Sequence, residues 1–284
     1  MNHLAARSFS SATSLLSSGY RVASRPHCLL RTPSVVRPIS YPPSRIATTP
    51  RTMSTSASGP DSRPIFFFDI DNCLYSRECN IHDEMQKLIN QFFRKHLALS
   101  AEDAHMLHMK YYKEYGLAIE GLTRHHKIDP LEFNREVDDA LPLDTILKPN
   151  PGLRKLLKDI DRSKVRLWLL TNAYVNHAKR VVKLLQVEDL FDGVTYCDYA
   201  QLPLICKPNQ AMYERAEKEA GAAPGQKSYF VDDSHLNCVH AAKRGWVTAH
   251  LVEPSLPLPP TPASQYVIRD LEELRTCFPD LFKS

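Results

Sequence analysis

Asp69 and Asp71 stand two residues apart, directly after the apolar run Ile65-Phe66-Phe67-Phe68. In an extended chain, side chains at i and i+2 point the same way. One carboxylate could then attack an electrophile while the other exchanges a proton with the leaving group. Their proximity also pushes their titrations apart. Alone, Asp-x-Asp is more often a strand-end turn held by side-chain-to-backbone hydrogen bonds. Three further segments supply what phosphoryl transfer needs. Thr171-Asn172 offers a hydroxyl and backbone donors for a phosphate oxygen, although singly it reads as a helix cap. Lys207, before Pro208, could set a compact positive charge against phosphate and an attacking carboxylate, although an isolated lysine is mostly a solvated surface residue. Asp232 and Asp233, before Ser234, suit a hard cation such as Mg²⁺, although acidic pairs are common in loops.

Each group sits where a particular element must deliver it. The run ending at Phe68 is a strand buried on both faces of a parallel sheet, and its carboxyl end is where ligands bind in open α/β sheets. Further strands are expected at 165–170, 229–231 and 246–251, with helices near 151–162, 174–186, 208–220 and 235–243. That alternation predicts a doubly wound, Rossmann-like α/β core. Between Tyr75 and Lys148 the strand signal gives way to amphipathic helix. Ser100 with Asp103, and Asp129 before Pro130 and Glu132, mark helix starts. The expected division is 61–78 plus 148–284 as catalytic core, with 79–147 as a helical insertion.

The ordered set Phe68-Asp69-Ile70-Asp71-Asn72, Leu170-Thr171-Asn172, Lys207-Pro208 and Val231-Asp232-Asp233-Ser234 resembles the four motifs of the haloacid dehalogenase superfamily. The helical insertion resembles that family's first-type cap. The resemblance spans about residues 64–252. It implies that Asp69 forms an aspartyl-phosphate, and that Asp71 protonates the leaving alkoxide and then activates water. Thr171 and Lys207 would hold the phosphoryl oxygens and the nucleophile. Mg²⁺ would lie against Asp69, the main-chain carbonyl of Asp71 and Asp233, with Asp232 in or near its coordination sphere. Dehalogenases of this fold lack the second aspartate, so Asp71 favours phosphate chemistry. Where many members have Gly-Thr after the second aspartate, this chain has Asn72-Cys73. Asn tolerates a left-handed backbone, and Cys is a weaker hydrogen-bond partner than Thr.

The insertion segments Tyr115 to Leu122, His125 to Pro130 and Val137 to Pro142, with Asp69 to Tyr75, are similar to the pyrimidine 5′-nucleotidase group of fungi and plants. That implies a nucleoside monophosphate substrate, UMP or CMP. Gly116 and Gly121 are expected to permit tight turns facing the phosphate, and Tyr111, Tyr112 or Tyr115 to stack on a base. For any one of these tyrosines, packing between cap helices is the more common role. His125 and His126 read as a solvated helix end. The alternatives are another small phosphate ester, such as a sugar phosphate or lysophospholipid, and a catalytically silent binding protein that keeps the fold. The presence of all four motifs argues against the silent protein.

Composition narrows the partners. Residues 1–60 hold seven Arg and no Lys, Asp or Glu, so removing those seven charges from the formal +4 leaves −3 on residues 61–284. A nucleic-acid-binding surface needs concentrated Lys and Arg, and none is expected here. No apolar run reaches the roughly 20 residues of a membrane-spanning helix. The seven cysteines are odd in number and widely spaced, and read as reduced thiols of an intracellular protein. The Arg- and Ser-rich residues 1–60 suit a mitochondrial presequence or a disordered leader. The expected compartment is mitochondrial if translation starts at Met1, and cytoplasmic or nuclear if it starts at Met53. Oligomeric state is not legible.

Overall fold

The computed structural model describes residues 61–284. The leader expected at 1–60 lies outside these described residues. Six parallel strands form one sheet in the order β3-β2-β1-β4-β5-β6, so the expected doubly wound α/β class is the observed one. The strands are β1 (Ile65–Phe68), β2 (Arg166–Leu170), β3 (Gly193–Thr195), β4 (Ser228–Asp232), β5 (Val247–Leu251) and β6 (Tyr266–Ile268). The three-residue strands β3 and β6 were not expected. Gly193 follows Asp192, a pair that reads as a turn, yet its missing side chain admits the Trp168 ring, whose Cη2 would lie 2.2 Å from an added Cβ.

β1 carries the period-two alternation of a central strand. Phe66 and Phe68 enter the cluster with Leu153, Leu156 and Val181, while Ile65 and Phe67 enter the opposite one with Met212, Tyr213 and Trp246. The covering helices are α6 (Pro151–Asp159), α7 (Val175–Leu184), α8 (Gln210–Glu219) and α9 (His235–Lys243). Burying each such phenylalanine stabilises the fold by ~1.5–3 kcal/mol. The chain winds one way from β1 to β3 and the other way from β4 to β6. The switch point lies between β1 and β4, where a crevice opens at the carboxyl ends.

The insertion forms α1 (Ile81–Leu97), α2 (Ala101–Tyr115), α3 (Ala118–His125) and α4 (Pro130–Phe133), the last running into a π-turn at Asn134–Asp138. Both expected helix starts form: Ser100 Oγ accepts from Asp103 N–H, and Asp129 from Leu131 N–H. A separate core of Ile89, Phe92, Phe93, Ile119, Leu122 and Phe133 holds this cap, and it includes Tyr199, Leu204 and Cys206 from the loop before α8. The side chains change allegiance before the expected boundary at 147. Leu141, Leu143 and Leu147, around α5 (Leu143–Ile146), already pack in the sheet's cluster.

Gly121 makes no turn. It lies inside α3, and a Cβ there would fall 2.1 Å from Tyr111 Cγ, at the rigid root of the ring. Alanine favours helix by about 1 kcal/mol over glycine, so by propensity alone Gly121→Ala would stabilise. The clash reverses the sign: urea unfolding should show a loss of ~1–3 kcal/mol, and the loss should shrink when Tyr111 is also truncated to Ala.

Candidate active site

The four sequence segments converge at the switch point. Asp69 N–H still donates to Val231 O at 3.0 Å, extending the ladder one residue past β1. Asn72 then adopts φ 56°, which turns the chain out of the sheet, a left-handed backbone that asparagine tolerates better than most residues. Cys73 points into the core, where its thiol faces Val231 O at 3.8 Å.

Lys207 is the hub. Its side chain is 1% exposed, and Nζ donates to Asp69 Oδ1 at 2.6 Å, Asp232 Oδ2 at 2.6 Å and Leu170 O at 2.8 Å. All three ammonium protons are therefore committed within the protein, and in this arrangement Lys207 has none for a phosphoryl oxygen. Asp232 is similarly consumed: Oδ1 accepts from Ser234 N–H at 2.7 Å, and Asn237 Nδ2 lies 3.2 and 3.1 Å from Oδ1 and Oδ2. Asn172, expected to meet substrate, instead clamps the loop carrying Lys207, accepting from Lys207 N–H at 2.7 Å and donating to Lys207 O at 2.9 Å. Thr171 keeps its hydroxyl proton available, because Oγ1 accepts from Ala173 N–H and the residue lines the cavity.

Among the described residues Asp69 Oδ2 has no donor, and it lies at the floor of a cavity of about 480 Å³, within the range for small-molecule sites. Asp69, Asp232 and Asp233 each offer a carboxylate oxygen, all within 4.8 Å of one another. Burial pushes Asp69 up to about 8; Lys207 pulls against it while Asp232 and Asp71 add repulsion. Burial, then the charges of Asp232 and Asp69, likewise raises Asp233 well above the usual carboxylate range. Among the described residues, only Arg77, at 3.3 Å, pairs with Asp233. Anionic charge thus exceeds local cationic charge, and a hard, oxygen-ligated dication fits this donor set. Asp69 and Asp233 line the cavity, whereas Asp232 does not.

Asp71 also faces the cavity, and its Oδ1 meets two groups that sequence reasoning passed over: Tyr75 Oη at 2.7 Å and His177 Nε2 at 2.6 Å. Burial alone would raise Asp71, but the His177 charge and both hydrogen bonds outweigh it and hold the carboxyl below its ordinary value. Asp138, delivered by the π-turn, is 3% exposed and lines the cavity, and burial pushes it up to about 7.

The cavity walls are two helical stripes, His82, Met85, Gln86 and Ile89 on α1 and His108, Met109, Tyr112 and Lys113 on α2, the second continued by the α2 C-cap Gly116. Spacings of three and four put each set on one face. Tyr115 falls on the adjoining face, outside the cavity lining, and bonds His125 Nε2 at 2.7 Å; Tyr111 bonds His126 at 2.8 Å. Of the three tyrosines, only Tyr112 reaches the site. Gly116, at φ 79°, brings the insertion against the loop carrying Lys207: a Cβ there would lie 3.1 Å from Lys207 O. The mixed stripes could have been found in the sequence, because His and Gln interrupt faces that a pure core would keep apolar.

The sequence model of the haloacid dehalogenase-like hydrolases matches residues 64–244. The chain belongs to this family. It is 40% identical over 201 residues to "Phosphate metabolism protein 8" of Saccharomyces cerevisiae, with 68% of this chain and 63% of that protein aligned, so the chain spans less than two-thirds of that relative's length. Its fold is similar to a hydrolase from Pseudomonas syringae (TM-score 0.56, 16% identity, 78% of this chain and 100% of that one). CbbY from Rhodobacter sphaeroides, solved in complex with phosphate, is also similar (TM-score 0.53, 17% identity, 75% and 96%). So is a HAD phosphatase from Thermococcus onnurineus (TM-score 0.52, 17% identity, 75% and 97%). At these identities the structural likeness is one of fold.

Within this haloacid dehalogenase-like site, the Asn172 clamp is separable from the chemistry. Asn172→Ala would leave the buried N–H and C=O of Lys207 unpaired, and urea denaturation should register ~1–3 kcal/mol. A change below ~0.5 kcal/mol, the ordinary surface range, would show that the clamp carries no stability.

Proposed function

We propose that the chain is a Mg²⁺-dependent phosphomonoesterase that hydrolyses UMP and CMP to nucleoside and inorganic phosphate. The observation that carries this reading is Asp69 Oδ2 on the cavity floor, free of donors among the described residues, with Lys207 on its other oxygen and Asp71 two residues on. Asp69 Oδ2 attacks phosphorus, the bond to the 5′ oxygen breaks with its electron pair on that oxygen, and Asp71, whose protonation the negative charge of the bound phosphate favours against the pull of His177, supplies the proton. Water then attacks the phosphorus of the aspartyl-phosphate and gives its proton to Asp71, and the P–O bond to Asp69 breaks to restore the carboxylate. Lys207 holds the nucleophile and offsets the charge of Asp69 and Asp232. The Thr171 hydroxyl donates to a phosphoryl oxygen. The side chains of Asp69 and Asp233, with the main-chain carbonyl of Asp71, would hold Mg²⁺. When bound, the ion offsets repulsion between carboxylate and phosphate and shares the charge of transfer.

The nucleotide reading rests on the cap segments similar to pyrimidine 5′-nucleotidases, and the relative's name, "Phosphate metabolism protein 8", agrees with phosphate chemistry. The cavity suits a planar base: Met85, Ile89, Leu117 and Phe133 supply apolar surface, and Gln86, His82 and His108 supply polar atoms. Burial holds His108 down at about 4, so at neutral pH it presents an uncharged imidazole that can donate and accept.

Phosphate release by the full chain, with and without Mg²⁺, across UMP, CMP, AMP, GMP, glucose 6-phosphate and a lysophosphatidate tests the substrate. Metal-dependent turnover led by UMP and CMP is expected; a preference for glucose 6-phosphate or the lysophosphatidate would discard the nucleotide, and no turnover at all would favour a silent binding protein. Asp69→Asn should abolish turnover in a protein that still folds, as judged by circular dichroism; retained activity would exclude the mechanism. Gln86→Ala should raise KM for UMP by roughly tenfold, the equivalent of about 1.4 kcal/mol of binding, with kcat little changed.

A further inference from the structure

Asp71 must be able to reach both a leaving oxygen and a water, so its carboxyl plane has to be held without occupying the oxygen that works. Among the described residues, both hydrogen bonds to the Asp71 side chain fall on Oδ1: Tyr75 Oη at 2.7 Å and His177 Nε2 at 2.6 Å. His177 is fully buried, while the Asp71 side chain keeps 26% exposure. The imidazole Nδ1 has no partner among the described residues, so its only hydrogen bond is the one to Asp71. The residue is the third of α7, in the segment that follows Thr171 and Asn172. The short path from β2 therefore brings the phosphate hydroxyl, the Lys207 clamp and the Asp71 contact to one place.

We infer that His177 is a positioning residue for the proton-transferring carboxyl: with Tyr75 it holds Oδ1 from behind and leaves Oδ2 as the oxygen that gives and takes the proton. This rests on the phosphomonoesterase reading and deepens it. In the first half-reaction the Oδ2 proton passes to the ester oxygen as that oxygen's bond to phosphorus breaks. In the second, Oδ2 removes a proton from the water attacking the aspartyl-phosphate. A donor on Oδ1 fixes the carboxyl rotamer for both steps and keeps the proton off the buried oxygen.

The prediction depends on the leaving group. A nucleoside 5′ alkoxide needs the proton, whereas p-nitrophenolate leaves without one. The comparison is made on kcat/KM, which reports the steps up to departure of the leaving group and is not limited by later hydrolysis of the intermediate. His177→Leu should lose on the order of 10²-fold in kcat/KM for UMP, within the share that general acid catalysis contributes, and less than about threefold for p-nitrophenyl phosphate. His177→Gln, whose amide can place a donor near the position of Nε2, should recover most of the loss. Tyr75→Phe removes the second donor and should show the same selectivity at smaller size, which keeps the test valid if the leucine variant fails to fold. Equal losses on both esters in these variants, or no loss, would overturn the inference. A wild-type protein inactive on both esters would overturn the phosphomonoesterase reading and this inference with it.

Discussion

A single buried ammonium organises the catalytic end of this protein. Lys207 lies between the carboxylates of Asp69 and Asp232 and beneath the carbonyl of Leu170, so it joins the ends of β1, β2 and β4. A buried lysine is costly unless its charge and all its protons are matched. Here three acceptors match three protons, and the two carboxylates raise its proton affinity despite burial. The same contact ties up one oxygen of Asp69 and leaves the other facing the cavity. The position, the surrounding charge and the exposed oxygen of Asp69 thus follow from one set of hydrogen bonds.

The rest of the molecule serves that arrangement at increasing distance. The aromatic run of β1 fixes the strand between two apolar layers, so Asp69 starts from a rigid base. Asn172 holds the Lys207 backbone from the neighbouring strand end. The cap touches the same loop through Gly116 and shares its core with Tyr199, Leu204 and Cys206. Cap position and lysine position are therefore mechanically linked, because the loop that presents one also packs the other.

Much of this was legible in the sequence, and what was not has physical causes. Long, apolar strands such as 166–170 announce themselves, while β3 and β6 are three residues each and draw their stability from neighbours. The expected site residues Asp69, Asp71, Thr171, Lys207 and Asp233 meet in one cavity, because strand ends in a parallel sheet must converge. Asn172 and Asp232 join them, but with side chains committed to Lys207 and its surroundings. Tyr115 was misplaced because all three tyrosines of α2 have similar polarity, and only the helical phase separates Tyr112 from its neighbours. His177 carried no local signal, and Asp138 was not singled out within the segment Val137 to Pro142: their meaning depends on contacts across 106 residues for His177 and on a π-turn for Asp138.

The central claim is that Asp69 becomes covalently phosphorylated. A rapid-mix experiment with excess enzyme and radiolabelled nucleotide, quenched with borohydride and followed by peptide mapping, tests it most directly, since borohydride reduces an acyl phosphate to an alcohol. The account predicts conversion of Asp69 alone to homoserine, at a level that rises and falls within one turnover. Phosphate release with no reduced residue, or reduction at Asp71 or Asp233 instead, would contradict it.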